Sequence, residues 1–120
     1  MKTFLSIVII LTVMMSLVAC SSERYGLGVD KNIPLMKVKD IVLDSTISGK
    51  KVTVSGNISS QCMSSGCWFV LRDDTGQVFI NLAPNNMIVP PRMERPAKVT
   101  GTVITRPGEL QIVADGVEVR

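Results

Sequence analysis

Cys62 and Cys67 are the residues of this sequence best suited to chemistry. They flank Met63-Ser64-Ser65-Gly66, a short polar segment whose glycine permits a turn, and a bulky run starts directly after them at Trp68. Three chemistries fit the pair. The favoured one is a structural disulfide stapling a loop in an oxidising compartment. This separation can bring two Cα atoms within the roughly 4.4–6.8 Å that a disulfide needs, provided the chain turns back. The second is a metal site. The Cys62 and Cys67 thiolates with the Met63 thioether suit Cu(I), which accepts low coordination by sulfur, and Met87 and Met93 are further thioethers downstream. Against it, methionine is more often a core filler. The third is a thiol pair for redox exchange, placed last because no helix N-terminus is foreseen to depress a thiol pKa.

Trp68 is the one tryptophan, and it either packs into a core or offers a platform to a ligand. Strand alternation groups it with Val70 and Arg72, opposite Phe69 and Leu71. Sharing a face with Arg72 turns it outward, so Trp68 and Arg72 are the ligand-face candidates. Histidine is absent, which removes His-based triads, His-liganded zinc and His general bases. Asp73 and Asp74 read as turn residues, and no nucleophile–base pair is visible, so no enzyme is expected.

Five runs must position these groups. Lys51 to Ser59 alternates, with Val52, Val54, Gly56 and Ile58 on one face. Cys67 to Arg72 and Gln77 to Leu82 are two strands joined by the Asp73-Asp74-Thr75-Gly76 turn, a hairpin signal. Ala97 to Ile104 repeats the first pattern. Pro107-Gly108 then turns the chain into a last strand through Val119, with a phase slip at Gly116. Glycines inside the long strands predict bulges or sharp bends. Met36 to Ser45 carries Val38, Ile41 and Val42 at helical spacing and is read as a short helix. Residues 83–96 hold four prolines and form a connection, with one helical turn expected near Asn86 to Val89.

Five strands with a non-strand insertion between the third and fourth is the order of an OB-fold barrel. Val52-x-Val54-x-Gly56-x-Ile58, Trp68 through Gly76, Val99-Thr100-Gly101 and Glu109 through Ala114 resemble OB domains of the anticodon-binding type. Met36 to Val119 is also similar to a family of exported bacterial OB-like domains with no assigned role. That family's signature is Cys, four residues, then Cys-Trp with Gly before the second cysteine. It stands here as Cys62-Met63-Ser64-Ser65-Gly66-Cys67-Trp68, and Ile88-Val89-Pro90 resembles its downstream apolar-apolar-Pro element. The resemblance implies an all-β fold: a five-stranded OB-fold-like Greek-key barrel preceded by a short helix.

The N-terminus reads as an address. Lys2 is followed by an apolar run from Phe4 to Ala19, which holds much of the chain's hydrophobic excess and is marginal in length for a span of about 20 residues. Leu17-Val18-Ala19-Cys20 resembles the lipobox of bacterial lipoproteins. That implies cleavage before Cys20, its lipidation, and a membrane partner reached through the acyl chains. Ser21 after the cysteine implies, by the sorting habit of such proteins, the periplasmic face of the outer membrane in a Gram-negative source. Ser21 to about Pro34 has two glycines, scattered charge and no apolar period, and is expected to be a flexible tether. The expected divisions are residues 1–19 signal peptide, 20–35 lipidated cysteine and tether, and 36–120 barrel domain.

A formal charge of +3 with 4% aromatic residues makes a poor footprint for nucleic acid. The expectation is a non-enzymatic, lipid-anchored extracytoplasmic binding module without a cofactor, its partner an envelope protein or small ligand. Cu(I) binding through Cys62, Cys67 and Met63 is the alternative, and single-stranded nucleic acid is disfavoured.

Overall fold

Alternating apolar and polar side chains turn one face of each strand inward, and the chain closes those faces around one core. The structure, a computed structural model, describes residues 1–18 and 22–120, with the backbone alone for 13–18. In chain order the elements are α1 (Lys2–Val18), β1 (Glu23–Gly26), α2 (Val38–Leu43), β2 (Lys51–Gln61), β3 (Trp68–Arg72), β4 (Gln77–Asn81), a 3₁₀ turn (Ala83–Asn85), β5 (Pro96–Arg106) and β6 (Glu109–Val119).

β2 pairs antiparallel with both β3 and β5, β3 with β4, and β5 with β6. A parallel pairing of β4 with β6, Ile80 opposite Ile112, closes the ring. This is the expected five-stranded barrel. Its interior holds Val54, Ile58, Phe69, Leu71, Ile80 and Ile112, all fully buried. Each such side chain contributes about 1.5–3 kcal/mol when taken out of water.

The phase slips fall where they help the barrel coil. Thr100 faces Gly116 but Gly101 faces Ala114, so Asp115 is an extra residue bulged out of β6. A second slip lies between Ile58 and Ser60 and turns Gln61 inward at the end of β2.

α2 is shorter than the expected 36–45, and its cap comes from elsewhere in the chain. The Val38 amide donates to Asp73 Oδ2 at 2.9 Å, the Lys39 amide to Thr75 Oγ1 at 3.0 Å, and Lys37 Nζ to Asp74 at 2.7 Å. The β3–β4 turn thus satisfies amides that a helix start leaves unpaired. Val38 and Ile41 join the core.

Two expectations are corrected. The helical turn of the 83–96 connection forms at Ala83–Asn85, not near Asn86 to Val89. Asn86 takes a left-handed conformation there, which ends the turn, and Met87 and Val89 are then buried as apolar anchors. The segment from Ser21 to Pro34, expected as a flexible tether, is instead ordered from Glu23 onward. β1 pairs with the C-terminal half of β6, Tyr25 opposite Val117. Further along, the Asp30 amide donates to Thr100 Oγ1 at 3.0 Å and the Met36 amide to the Thr53 carbonyl at 2.8 Å. Thr53 and Thr100 are themselves joined by a buried hydroxyl pair at 2.8 Å. The segment lacks an apolar period because it is held by backbone hydrogen bonds rather than by side-chain burial. Its closest approach is Gly28 over Gly116, where a Cβ on Gly116 would collide with the Gly28 backbone. Among the described residues no core side chain comes from α1, whose side chains through Thr12 are exposed. Among the described residues the whole core therefore lies in the chain from Ser22 onward.

Candidate functional site

β2 ends at Gln61 and β3 starts at Trp68, and the six residues between them fold into a clamped turn. The Gly66 amide donates to the Cys62 carbonyl at 3.0 Å, and the Cys62 amide to the Trp68 carbonyl at 3.1 Å. The downstream connection holds the turn from below, through the Val89 amide to the Gly66 carbonyl at 3.1 Å and the Leu82 amide to the Cys67 carbonyl at 2.9 Å. Buried Gln61 locks the two together, donating to the Val89 and Pro90 carbonyls at 2.9 and 2.8 Å and accepting from the Arg92 amide at 2.9 Å. Gly66 has φ +63°, and a side chain there would meet the Val89 carbonyl, so glycine suits the position on two grounds.

The turn brings Cys62 and Cys67 together. Both are partly exposed thiols, with Sγ atoms 3.8 Å apart and the Cys67 thiol directed at Cys62. A disulfide would require about 2.05 Å. Ser65 Oγ lies 3.2 Å from each sulfur, and Ser64 Oγ 3.5 Å from Cys62. The Ser65 and Ser64 hydroxyls, then the Ser65 and Cys67 amides, stabilise the charged sulfur and hold the Cys62 pKa down at about 5. A turn of converging amides and hydroxyls does here what a helix N-terminus does elsewhere. Sequence reasoning missed this: Ser64 and Ser65 were given no role, although two hydroxyls two and three residues after a cysteine were the available signal.

The other candidates disperse. Met63 is 66% exposed, Met87 is buried beside Gly26, and Met93 is exposed. Among the described residues no group of three or more His, Cys, Asp or Glu side chains gathers to hold a metal ion. Cys20 lies outside the described residues.

Trp68 stands on the outer face of β3, as strand alternation predicts, with Phe69 and Leu71 in the core. Across on β4 it stacks on Phe79, ring centroids 5.5 Å apart and planes at 28°. Phe79 was not singled out in the sequence, since a diagonal pair depends on strand register. The aromatic shelf continues into a groove of about 190 Å³ lined by Val42, Val70, Gln77, Val78, Phe79 and Leu110, with no charged residue among them. Arg72 shares the face but sits at the far end of β3, about 13 Å along the strand at 3.3 Å per residue. There it lines a separate polar hollow with Asn57, Asp73, Asp74 and Glu94. Arg92 is bound by Glu23, Nε and Nη2 lying 2.7 and 2.8 Å from the carboxylate oxygens.

The barrel has relatives among solved structures. It superposes on the hypothetical protein ygiW from E. coli with a TM-score of 0.57 and 18% identity, covering 74% of this chain and 92% of that one. It also matches asparaginyl-tRNA synthetase from Pyrococcus horikoshii with a TM-score of 0.55 and 22% identity, over 70% of this chain but 22% of the synthetase. The fold is an OB-fold. At these identities the likeness shows the fold alone. No protein-family model and no curated protein sequence matches the chain.

Proposed function

We propose that this chain is an extracytoplasmic OB-fold binding module, anchored to a membrane through a lipidated Cys20, that takes an apolar peptide segment on the outer face of β3–β4. The observation that carries the binding assignment is the stacked Trp68–Phe79 pair, partly buried and partly open on the outer strand face of a closed barrel. Aromatic pairs are usually buried, and a pair left partly open on an outer strand face and rimmed by apolar side chains suits a contact surface. The uncharged lining of the adjoining groove suits an apolar partner rather than a phosphate backbone, which needs a basic groove around the aromatics. In its oxidised form the Cys62–Cys67 pair would staple the loop bordering this face.

One feature supports the anchor. α1 is apolar, yet its described side chains through Thr12 are exposed and outside the core, as suits a segment removed after export.

Both halves are testable. Intact-mass measurement of the membrane fraction should show an acylated chain beginning at Cys20, and Cys20→Ser should abolish the acyl mass. For binding, residues 22–120 are passed over an array of immobilised peptides. Retained peptides should be rich in aromatic and branched apolar residues, and Trp68→Ala should weaken retention about tenfold or more, as loss of a central aromatic anchor does. Undiminished retention by Trp68→Ala would remove the shelf from the binding site.

A further inference from the structure

We propose that the Cys62–Cys67 turn is a thiol–disulfide exchange site acting on peptide disulfides, with Cys62 the attacking sulfur and Cys67 the resolving one.

The assignment of roles comes from the hydrogen bonds. Cys62 Sγ is the convergence point: it faces Ser65 Oγ at 3.2 Å, Ser64 Oγ at 3.5 Å and the Cys67 thiol at 3.8 Å. Three neighbours that can each donate a proton favour the thiolate at Cys62, and the thiolate is the nucleophile. Cys67 Sγ lies 3.8 Å from Cys62 Sγ, which places it to resolve a mixed disulfide formed there. Ser65 lies within reach of both sulfurs, and its single hydroxyl proton can turn from one to the other as charge moves. The Cys62 pKa of about 5 agrees with this geometry.

The exchange balances in two steps. Cys62 thiolate attacks one sulfur of a disulfide R–S–S–R′; a new S–S bond forms, the old one breaks, and R′S⁻ leaves and takes a proton from water. Cys67 then loses its proton to solvent and attacks Cys62 Sγ, expelling RS⁻, which is protonated in turn. The protein dithiol is oxidised by two electrons to a disulfide, and the substrate disulfide is reduced to two thiols. The second step needs the two sulfurs to close from 3.8 Å to a bond of about 2.05 Å. Both thiols are partly exposed, so an incoming disulfide can reach them. Trp68 directly follows the resolving Cys67, at the start of β3.

This inference goes beyond peptide binding and fails separately from it, because its test reads sulfur chemistry while the other reads Trp68-dependent retention. Residues 22–120, which hold every core residue among the described ones, are reduced and treated with oxidised glutathione as the probe. Wild type should end as an intramolecular disulfide with two glutathiones released and no adduct mass. Cys67→Ser should stop at a single glutathione adduct. At pH 6 its rate should exceed that of a simple cysteine peptide by about tenfold, the thiolate fraction outweighing the lower intrinsic nucleophilicity. Cys62→Ser should lose that advantage. Ser65→Ala should shift the rate–pH profile upward, which a merely structural serine would not do. Equal rates for Cys62→Ser and Cys67→Ser, or a thiolate absorbance that appears only in the ordinary thiol range, would overturn the proposal. So would reduced protein that binds Cu(I) against a competing chelator yet fails to react with the probe.

Discussion

A thiol ionises near neutral pH only where fixed donors reward the charge, and at Cys62 those donors are local. Ser64 and Ser65 lie two and three residues along the same turn, so the low pKa is a property of a short segment held in one conformation. Replacing Ser65 by Ala removes the largest single contribution and should raise the Cys62 pKa from about 5 to about 6, read from thiolate absorbance against pH. The sign of the linkage follows. The folded pKa lies below that of an unfolded thiol, so ionisation favours the fold in full above pH about 8.5. That advantage declines as pH falls and is gone below the folded value of about 5. Asp73 shows the same logic in a carboxylate. Burial pulls its pKa up, but the Thr75 hydroxyl and the Val38, Thr75 and Gly76 amides outweigh it and hold the pKa below the usual carboxylate range. Asp73→Ala should cost about 2 kcal/mol in urea denaturation at pH 7, since it uncaps α2 and opens the β3–β4 turn together. The difference between wild type and variant should shrink as pH falls from about 4 through that depressed value, where the native carboxylate takes up its proton.

At the scale of elements, the β2–β3 turn is shaped by the connection packed beneath it. Gly66 touches the Val89 carbonyl and has φ +63°, so Gly66→Ala must displace the 82–92 segment or the turn itself. A loss of about 2 kcal/mol is expected, with the Cys62 thiolate titrating higher because the donors no longer converge. Thermal unfolding and absorbance titration on the same sample separate the two effects. The strands themselves were readable: alternation placed Val52, Val54 and Ile58 inward on β2, and Phe69 and Leu71 inward on β3, as found. Thr53 and Gln61 were not readable as buried. Thr53 is covered by the N-terminal segment, and Gln61 turns inward because of the slip after Ile58. The thiol pair was visible as a pair and its two serines as types, but the turn that aims them depends on backbone hydrogen bonds to the 82–92 connection, which leave no trace in residue types.

For the molecule as a whole, the folding unit begins earlier than composition implied. A domain starting at residue 36 would lose β1 from the edge of β6, the Asp30 bond to Thr100 and the Arg92–Glu23 ion pair. Residues 36–120 should therefore be less stable than residues 22–120 by ~3 kcal/mol, a few net hydrogen bonds' worth, with raised amide exchange along residues 116–119. Equal stability of the two chains would return residues 22–35 to the role of a tether. The sequence by itself determined the five barrel strands, their inward faces, the hairpin at Asp73–Gly76 and a slip near Gly116, because period-two alternation and turn chemistry are local. Tertiary structure alone decided that β4 pairs parallel with β6, that β1 joins the barrel and that Trp68 meets Phe79. Each of these joins groups through backbone hydrogen bonds or register across distant strands, and neither is encoded in the spacing of side chains along one segment.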